Sequence, residues 1–330
     1  MKTSRIVVLI SKLTFAIIST HIVLSTLPAH AELAGQNPSE PPAQDTQRIA
    51  VTVTVTNGRN ELVTGLTRAD FSVFADKVPQ TISYFRDDDG PASVGILFDA
   101  SDSMRTRWGM TVIKAYRDSF RQFFARSHQG NEYFLMSFGL KPQLLVDWTS
   151  DEEAIENGFD AVQFKGNTAF FDACHAGIQK VTQGRNEKRA IILVSDGEDN
   201  ESTHRKNEIR SMLRKYNVLV YSINIFAGPD ASGSALGFEG QSILNELSRM
   251  SGGMTFYPKS NQRVSISELN SVLNFIADEL RHQYLIGFIP SIKPVKDKWQ
   301  RIAVKINTDR TDPGMRGLTI RARDGYVVSP

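Results

Sequence analysis

The stretch that decides the fold is residues 93–103, which read SVGILFDASDS. Residues 94–98 form a continuous apolar run, and such a run predicts a strand that is buried on both faces of a sheet. Oxygen-bearing side chains follow at once, at Asp99, Ser101 and Ser103. A buried strand that ends in such a loop before a helix is typical of an open α/β sheet, where ligands bind outside the carboxyl ends of the strands.

Strand and helix patterns alternate from this stretch as far as residue 282. Further strands are predicted at residues 133–138, 143–148, 190–194, 218–225 and 254–257. Helices are predicted at residues 104–125, 152–159, 170–182, 204–216, 242–250 and 268–282. This alternation predicts a Rossmann-like α/β domain over residues 91–282, with a mostly parallel central sheet and helices on both faces.

Strand patterns without helices flank the α/β domain on both sides. Those before it lie at residues 49–56, 61–63, 71–75 and 80–85, and those after it at 284–289, 300–306, 318–322 and 326–328. Neither set has enough strands to close a core alone, so we expect the two sets to pair. The predicted organisation is a small discontinuous β-sandwich, residues 48–90 and 283–330, into which the α/β domain is inserted.

The first 31 residues have the pattern of a signal peptide. Lys2, Arg5 and Lys12 precede an apolar stretch over residues 13–27, and Ala-His-Ala at 29–31 is a suitable cleavage site. The alternative is an uncleaved membrane anchor, which the short apolar stretch disfavours. Residues 32–47 contain three prolines and little that is apolar, as expected of a flexible linker.

Charge and cysteine content restrict the compartment and the class of partner. Loss of the three basic residues of the signal peptide changes the formal net charge from +2 to −1, which gives no indication of nucleic acid or anionic membrane as a partner. Cys174 is the single cysteine, so no intramolecular disulfide can form. Export without disulfides favours a bacterial periplasm, cell surface or secreted location, and no second apolar stretch predicts a membrane span after signal cleavage.

Two later fragments are predicted to join the Asp99 loop at one edge of the sheet. Thr168 precedes a predicted helix, and Asp196 follows a predicted strand. With Asp99, Ser101 and Ser103 they offer two carboxylates and three hydroxyls. Hard oxygen donors suit Mg²⁺, with Mn²⁺ or Ca²⁺ as alternatives, rather than zinc. A coordination position left open by this set would suit an acidic side chain of a partner protein.

The D-x-S-x-S sequence after an apolar strand, a later threonine, and a later strand that ends in Asp-Gly resemble the metal-ion-dependent adhesion site of von Willebrand factor A domains. All five positions of that site are present, at Asp99, Ser101, Ser103, Thr168 and Asp196. The resemblance covers about residues 91–282 and implies a sheet of about six strands. It also implies that the serine hydroxyls bind the metal directly and that the metal holds a protein ligand.

The flanking segments resemble an exported bacterial subgroup of the same family, of the acidobacterial type. The matching stretches are LTRADFSV at residues 66–73, YLIGF at 284–288 and RDGY at 323–326. With these segments, the resemblance covers nearly all of the chain after the signal peptide. It implies a fold and a compartment but no biological role.

Helix capping is the structural alternative for D-x-S-x-S, since Asp and Ser often accept hydrogen bonds from the free N–H groups of a following helix. Capping accounts for one serine, but not for Thr168 and Asp196 at matching strand ends. Nearby acids are expected to be helix N-terminal charges or a solvated rim: Asp102, Asp172, Glu198 and Asp199. Cys174 is expected to pack in the core, and its neighbour His175 is unassigned.

The glycine-rich stretch 227–240 is expected to be a long loop, and such loops in compact domains are usually functional or disordered. Contact with a partner is the functional alternative. Trp108 and Phe170 are expected to lie at the rim of the metal site and to add apolar contact to a ligand, with core packing as the alternative for Phe170.

Three classes of function fit these observations. The first is a binding module in which the metal links the protein to a partner. The second is a metal-assisted hydrolase, which would need a base or nucleophile that no motif places beside the five ligands. The third is an envelope protein in which the metal only stabilises the fold. The sequence favours the first and predicts that the protein is not an enzyme.

Overall fold

The computed structural model describes residues 48–87, 89–108, 111–224, 235–258, 265–292, 295, 298–307 and 317–327. The signal peptide and the linker lie outside these residues, so both remain predictions. Among the described helices, none combines the length and the apolar character needed to cross a bilayer.

A six-stranded sheet lies at the centre of the α/β part. In spatial order its strands are β10 (Met254–Phe256), β9 (Leu219–Asn224), β8 (Lys188–Ser195), β5 (Ala92–Asp99), β6 (Glu132–Phe138) and β7 (Pro142–Thr149). Neighbouring strands run parallel except for β7, which is antiparallel to β6. Every residue of β5 is buried, as its apolar run predicts.

Helices cover both faces of this sheet. They are α1 (Asp102–Trp108), α2 (Thr111–Arg126), α3 (Glu152–Gly158), α4 (Phe170–Val181), α5 (Lys206–Lys215), α6 (Ala235–Ser251) and α7 (Ile266–Arg281). Alternate residues of β5 point to opposite faces: Ile96 and Phe98 pack with α2 and α7, whereas Leu97 packs with α4, α5 and α6. The predicted fold class, a mostly parallel sheet with helices on both faces and additional β-sheets, is confirmed.

The remaining strands form two four-stranded antiparallel sheets. One has the order β13 (Thr319–Ala322), β1 (Ile49–Thr56), β11 (Tyr284–Phe288) and β4 (Ile82–Arg86). The other has the order β14 (Gly325–Val327), β12 (Trp299–Ile306), β2 (Phe71–Ala75) and β3 (Val78–Gln80). Each sheet therefore combines strands from before and after the α/β part. Their inner faces share one apolar core, in which the rings of Phe71 and Tyr284 are 5.1 Å apart.

Three local predictions differ from the structure. The helix expected at residues 104–125 is divided into α1 and α2, and the strand expected at 61–63 is a single bridge from Leu62 to Thr56. Helix α6 begins at Ala235, so the last part of the predicted loop 227–240 is helical. The glycines in this part predicted a loop, but Gly240 is required for the packing of α6. A Cβ at Gly240 would lie 2.4 Å from the carbonyl oxygen of Asp196.

A buried polar network joins α7 to the sandwich. The Glu279 side chain is fully buried, and its Oε1 atom accepts hydrogen bonds from the hydroxyls of Thr54 (2.9 Å) and Tyr221 (2.7 Å). Its Oε2 atom accepts from the Arg321 guanidinium at 2.5 Å. These residues come from β1, β9 and β13, so one carboxylate connects the six-stranded sheet, α7 and one sheet of the sandwich. Burial of a carboxylate is tolerated here because it is paired and hydrogen-bonded.

Candidate functional site

The candidate site begins at the carboxyl end of β5, where Asp99 is completely buried. Its Oδ1 atom accepts a hydrogen bond from the backbone N–H of Ser101 at 3.0 Å, which turns the chain directly after the strand. Its Oδ2 atom accepts from the Ser195 hydroxyl at 2.7 Å. Asp99 therefore links the ends of β5 and β8, because Ser195 is the last residue of β8.

The two serines of the D-x-S-x-S sequence lie side by side. Their Oγ atoms are 3.0 Å apart, with Ser101 buried and Ser103 exposed to solvent. Asp102, between them, interacts with the loop before α4: its Oδ2 atom accepts from the Gly166 N–H at 2.9 Å, and its own N–H donates to the Gly166 carbonyl at 2.9 Å. The turn thus groups two hydroxyls and fixes the loop that leads to Thr168.

Thr168 is buried and is held against the loop that follows β8. Its N–H donates to the Asn200 side-chain carbonyl at 2.7 Å, and the Asn200 N–H donates back to the Thr168 carbonyl at 3.1 Å. Its hydroxyl makes no hydrogen bond with another described residue. Hydrogen bonds made by its backbone therefore bring Thr168 to the same sheet edge. Its side-chain oxygen is available to coordinate a cation.

Asp196 is buried at the start of the loop after β8, and its Oδ1 atom accepts from the Glu198 N–H at 3.1 Å. The next residue, Gly197, has φ +81°, a conformation that L side chains rarely adopt. A Cβ at Gly197 would also lie 2.4 Å from the Gly240 carbonyl oxygen. The Asp-Gly pair therefore needs its glycine both for the turn and for the contact with α6.

The electrostatics of Asp99 suit a cation. Burial raises the pKa of its carboxyl group, while the hydrogen bonds from Ser101 and Ser195 act in the opposite direction and the nearby Glu198 charge raises the pKa further. No described residue forms an ion pair with Asp99. A buried carboxylate without a counter-charge is costly, and a bound cation would offset that cost.

The donor set also fits a hard cation. Within the described part of the chain, no group of three or more His, Cys, Asp or Glu residues is arranged to hold a metal. The set at this edge instead combines two carboxylates with hydroxyls, which are the ligands of Mg²⁺ and Ca²⁺ rather than of softer metals.

Other acids at this edge position the loop after β8. Asp172, in the first turn of α4, accepts from the N–H groups of Thr203 (3.1 Å) and His204 (2.8 Å), and Asp199 accepts from the N–H of Phe171 at 3.3 Å. Their hydrogen bonds hold the loop against α4. Sequence reasoning missed this positioning role, because it depends on partners about 30 residues away.

The neighbouring histidine and cysteine are not arranged for nucleophilic catalysis. Cys174 packs in the core, as expected, and burial raises the pKa of its thiol. His175 stacks on His204 with ring centroids 3.9 Å apart, and burial together with the neighbouring His204 lowers the pKa of His175. A thiol of raised pKa is a poor nucleophile.

Phe170 packs in the core, which is one of the two positions expected for it. Its side chain is fully buried against Phe138, because α4 turns its first residue toward the sheet. The exposed apolar residues near the site are instead Leu140, 45% exposed and adjacent to Gly166, and Phe238, 56% exposed in α6. The side chain of Trp108 lies outside the described residues.

A cavity of about 330 Å³ adjoins the loop after β8. Two apolar side chains, Phe171 and Ile243, line it together with Gly197 and Gly240. Its polar lining consists of Glu198, Asp199, Asn200, Lys206 and Glu239. Gly197 and Glu198, which line the cavity, directly follow Asp196 in the chain. The cavity therefore lies next to the candidate metal site.

Comparison with known families gives a match within the α/β part. Residues 94–198 match the family model of the von Willebrand factor type A domain. The matched segment begins in β5 and includes Asp99, Ser101, Ser103, Thr168 and Asp196. The match covers less than half of the chain, and the chain matches no curated protein sequence.

Solved structures that match this chain come from diverse sources. An aerotolerance-related membrane protein from Bacteroides fragilis is 17% identical and has a TM-score of 0.43, with 56% of this chain and 98% of that chain covered. Proximal thread matrix protein 1 from the mussel byssus is 17% identical with a TM-score of 0.48, covering 63% and 51%. The PilB minor pilin from Streptococcus sanguinis is 12% identical with a TM-score of 0.46, covering 58% and 61%.

Proposed function

We propose that this von Willebrand factor type A domain binds a divalent metal, Mg²⁺ or alternatively Mn²⁺ or Ca²⁺, and uses it to hold a protein partner. The observation that carries the proposal is the meeting of the Asp99 loop with the segments that carry Thr168 and Asp196 at one sheet edge. We further propose that the protein is exported and acts in the periplasm, at the cell surface or after secretion.

Five residues would hold the metal: Asp99, Ser101, Ser103, Thr168 and Asp196. When bound, the metal supplies a positive charge that can accept a carboxylate from outside the chain. The buried Asp99 carboxylate would anchor that charge, and its hydrogen bonds from Ser101 and Ser195 keep its two oxygens in fixed directions. The exposed Ser103 lies on the solvent side, where a partner could approach.

Exposed apolar residues near the site favour a protein as the ligand. Leu140 and Phe238 each expose a large part of their side chain near loops that carry the proposed ligands. A lone metal ion gains nothing from such residues, whereas a protein partner would bury them. We propose that the partner offers an acidic side chain to the metal and packs against these apolar residues.

Calorimetry tests the metal-binding part. We expect the EDTA-treated protein to bind about one Mg²⁺ or Mn²⁺ per chain, and the Asp99→Asn variant to bind none while its circular dichroism spectrum is unchanged. Asn is the matched substitution because its amide oxygen can still accept from the Ser101 N–H. Equal binding by both proteins would place the metal elsewhere.

A binding role is proposed in preference to hydrolysis because the hydroxyls near Asp99 are engaged with each other or with carboxylates. Ser195 donates to Asp99, and Ser101 pairs with Ser103. A nucleophile needs a base that takes its proton, and the acceptor of the Ser195 hydroxyl, Asp99, would itself be held by the metal. Turnover of phosphate-ester or peptide substrates by the Mg²⁺-loaded protein, lost in Asp99→Asn, would contradict this preference.

Export is tested by expressing the full chain with a C-terminal tag in a Gram-negative host. We expect the tagged protein in the periplasm or medium, with a mass that corresponds to cleavage after Ala31. Retention of the full-length mass in the membrane fraction would favour the uncleaved anchor.

A further inference from the structure

The cavity beside the candidate metal site combines an apolar interior with unpaired negative charge. Phe171 and Ile243 supply apolar surface. Among the described residues, none forms an ion pair or a hydrogen bond with the carboxylates of Glu198 and Glu239, although both acids line the cavity. Asp199 is different, since its carboxylate accepts from the Phe171 N–H and the Ser202 hydroxyl.

The charge of the cavity favours a cationic occupant. Three acidic residues and one basic residue, Lys206, line it. A divalent metal held by Asp99 and Asp196 would balance those two carboxylates, so it would leave the negative charge of the cavity uncompensated. An anionic side chain of a partner would thus be directed to the metal and a cationic one to the cavity.

The shape of the lining matches a long basic side chain. Lysine and arginine carry an aliphatic stem that packs on apolar surface and a charged end that seeks carboxylates. Phe171 and Ile243 provide surface for the stem, and Glu198 and Glu239 provide acceptors for the charged end. Phe238, the residue before Glu239, is exposed and adds apolar contact beside the cavity.

We propose that this cavity receives a lysine or arginine side chain of the partner whose acidic side chain binds the metal. The proposal rests on the proposed function and adds a second recognition element to it. The partner segment therefore carries an acidic and a basic residue close together, and the cavity selects among acidic segments that the metal alone would not distinguish.

A displayed library of random peptides provides the test. Peptides are selected on the immobilised protein in Mg²⁺ and eluted with EDTA, so that only metal-dependent binders are recovered. We expect these peptides to be enriched in an acidic residue with Lys or Arg within a few positions. Selection on the Glu198→Gln, Glu239→Gln double variant should keep the acidic preference and lose the basic one.

The affinity of one selected peptide, measured by fluorescence anisotropy, gives the size of the effect. We expect about tenfold weaker binding to the double variant, as for loss of a charged hydrogen bond. Lys206→Gln should bind the peptide at least as tightly as the wild type, because it removes the competing cation. Glu153→Gln, an exposed acid on α3 outside the cavity, is the matched control and should leave the affinity unchanged.

The outcomes separate this inference from the proposed function. Acidic peptides without a basic preference, or equal affinity for the double variant and the wild type, would overturn the cavity assignment and leave metal-dependent binding intact. Absence of any EDTA-eluted peptide would overturn both. Calorimetry of Mg²⁺ binding to each variant shows whether a lost peptide reflects the cavity or a weakened metal site.

Discussion

Replacing Glu279 with glutamine is expected to destabilise the protein by about 3 kcal/mol. Removal of one member of a buried ion pair typically costs about 3–5 kcal/mol, because the other charge stays buried without a partner. Here that partner is Arg321, whose side chain is 18% exposed. Water can reach part of the guanidinium, so we place the cost at the lower end of the range.

The hydroxyl partners support the same estimate. Thr54 and Tyr221 both donate to Oε1, and an amide oxygen at that atom can still accept from them. Glutamine therefore keeps these hydrogen bonds in neutral form, and the lost charge pair dominates the change. Urea denaturation followed by circular dichroism should show that the midpoint falls by at least about 1 M, since slopes are on the order of 3 kcal/mol per molar or less.

A double-mutant cycle tests whether the charges of Glu279 and Arg321 are coupled. In Arg321→Met combined with Glu279→Gln, this network no longer contains a buried charge, so we expect the double variant to be more stable than Glu279→Gln alone. The account of the network would be refuted if Glu279→Gln unfolded within about 0.5 kcal/mol of the wild type. Additive losses in the double variant would likewise show that the two charges are not coupled.

Three further predictions concern the candidate site and its surroundings. Asp99→Asn should raise the Tm of the metal-free protein at pH 7, as measured by differential scanning calorimetry. Burial raises the Asp99 pKa, so the ionised carboxylate opposes folding above the unfolded-state pKa. An unchanged or lower Tm would contradict this. Gly197→Ala should lower the free energy of unfolding by about 2–4 kcal/mol, because Gly197 has a positive φ and lies close to Gly240. Gly58→Ala should lower it much less, because the space around a Cβ at Gly58 is open. Similar urea midpoints for the two variants would be inconsistent with this. Cys174 should react with a thiol reagent only after unfolding, since the thiol is buried, and reaction of the native protein within minutes would argue against the core position.

The sequence predicts the strands of the central sheet well because their patterns are local. A continuous apolar run predicts β5, and its burial on both faces follows from the helices on each side. The end of β5 and the end of β8 are then expected at one edge, and the hydrogen bond between Ser195 and Asp99 agrees with that expectation. The coordination of a metal by the five proposed residues stays a prediction.

The contacts that hold the site together could not be read from the sequence. Ser195, Asn200 and Asp102 fix the loops through partners 96, 32 and 64 residues away, and no local pattern encodes such pairs. The start of α6 was missed for a related reason: its glycines have low helix propensity, but Gly240 is required where α6 touches Gly197.

The burial of Glu279 could have been predicted from the sequence pattern of α7. Glu279 lies three residues after Ile276 and next to Leu280, both buried residues of α7, so it falls near the apolar stripe of the helix. A charged residue in such a position predicts a buried partner. Arg321 becomes that partner because β13 pairs with β1. The sequence alone is compatible with several strand orders and does not predict this pairing.

Metal binding at the end of β5 is tested directly by a crystal structure of the protein with Mn²⁺, with data collected near the manganese absorption edge. We expect one anomalous difference peak at the end of β5, within coordinating distance of Asp99, Ser101 and Ser103, that is absent from crystals of Asp99→Asn. Occupied Mn²⁺ positions elsewhere, with none beside Asp99, would contradict it.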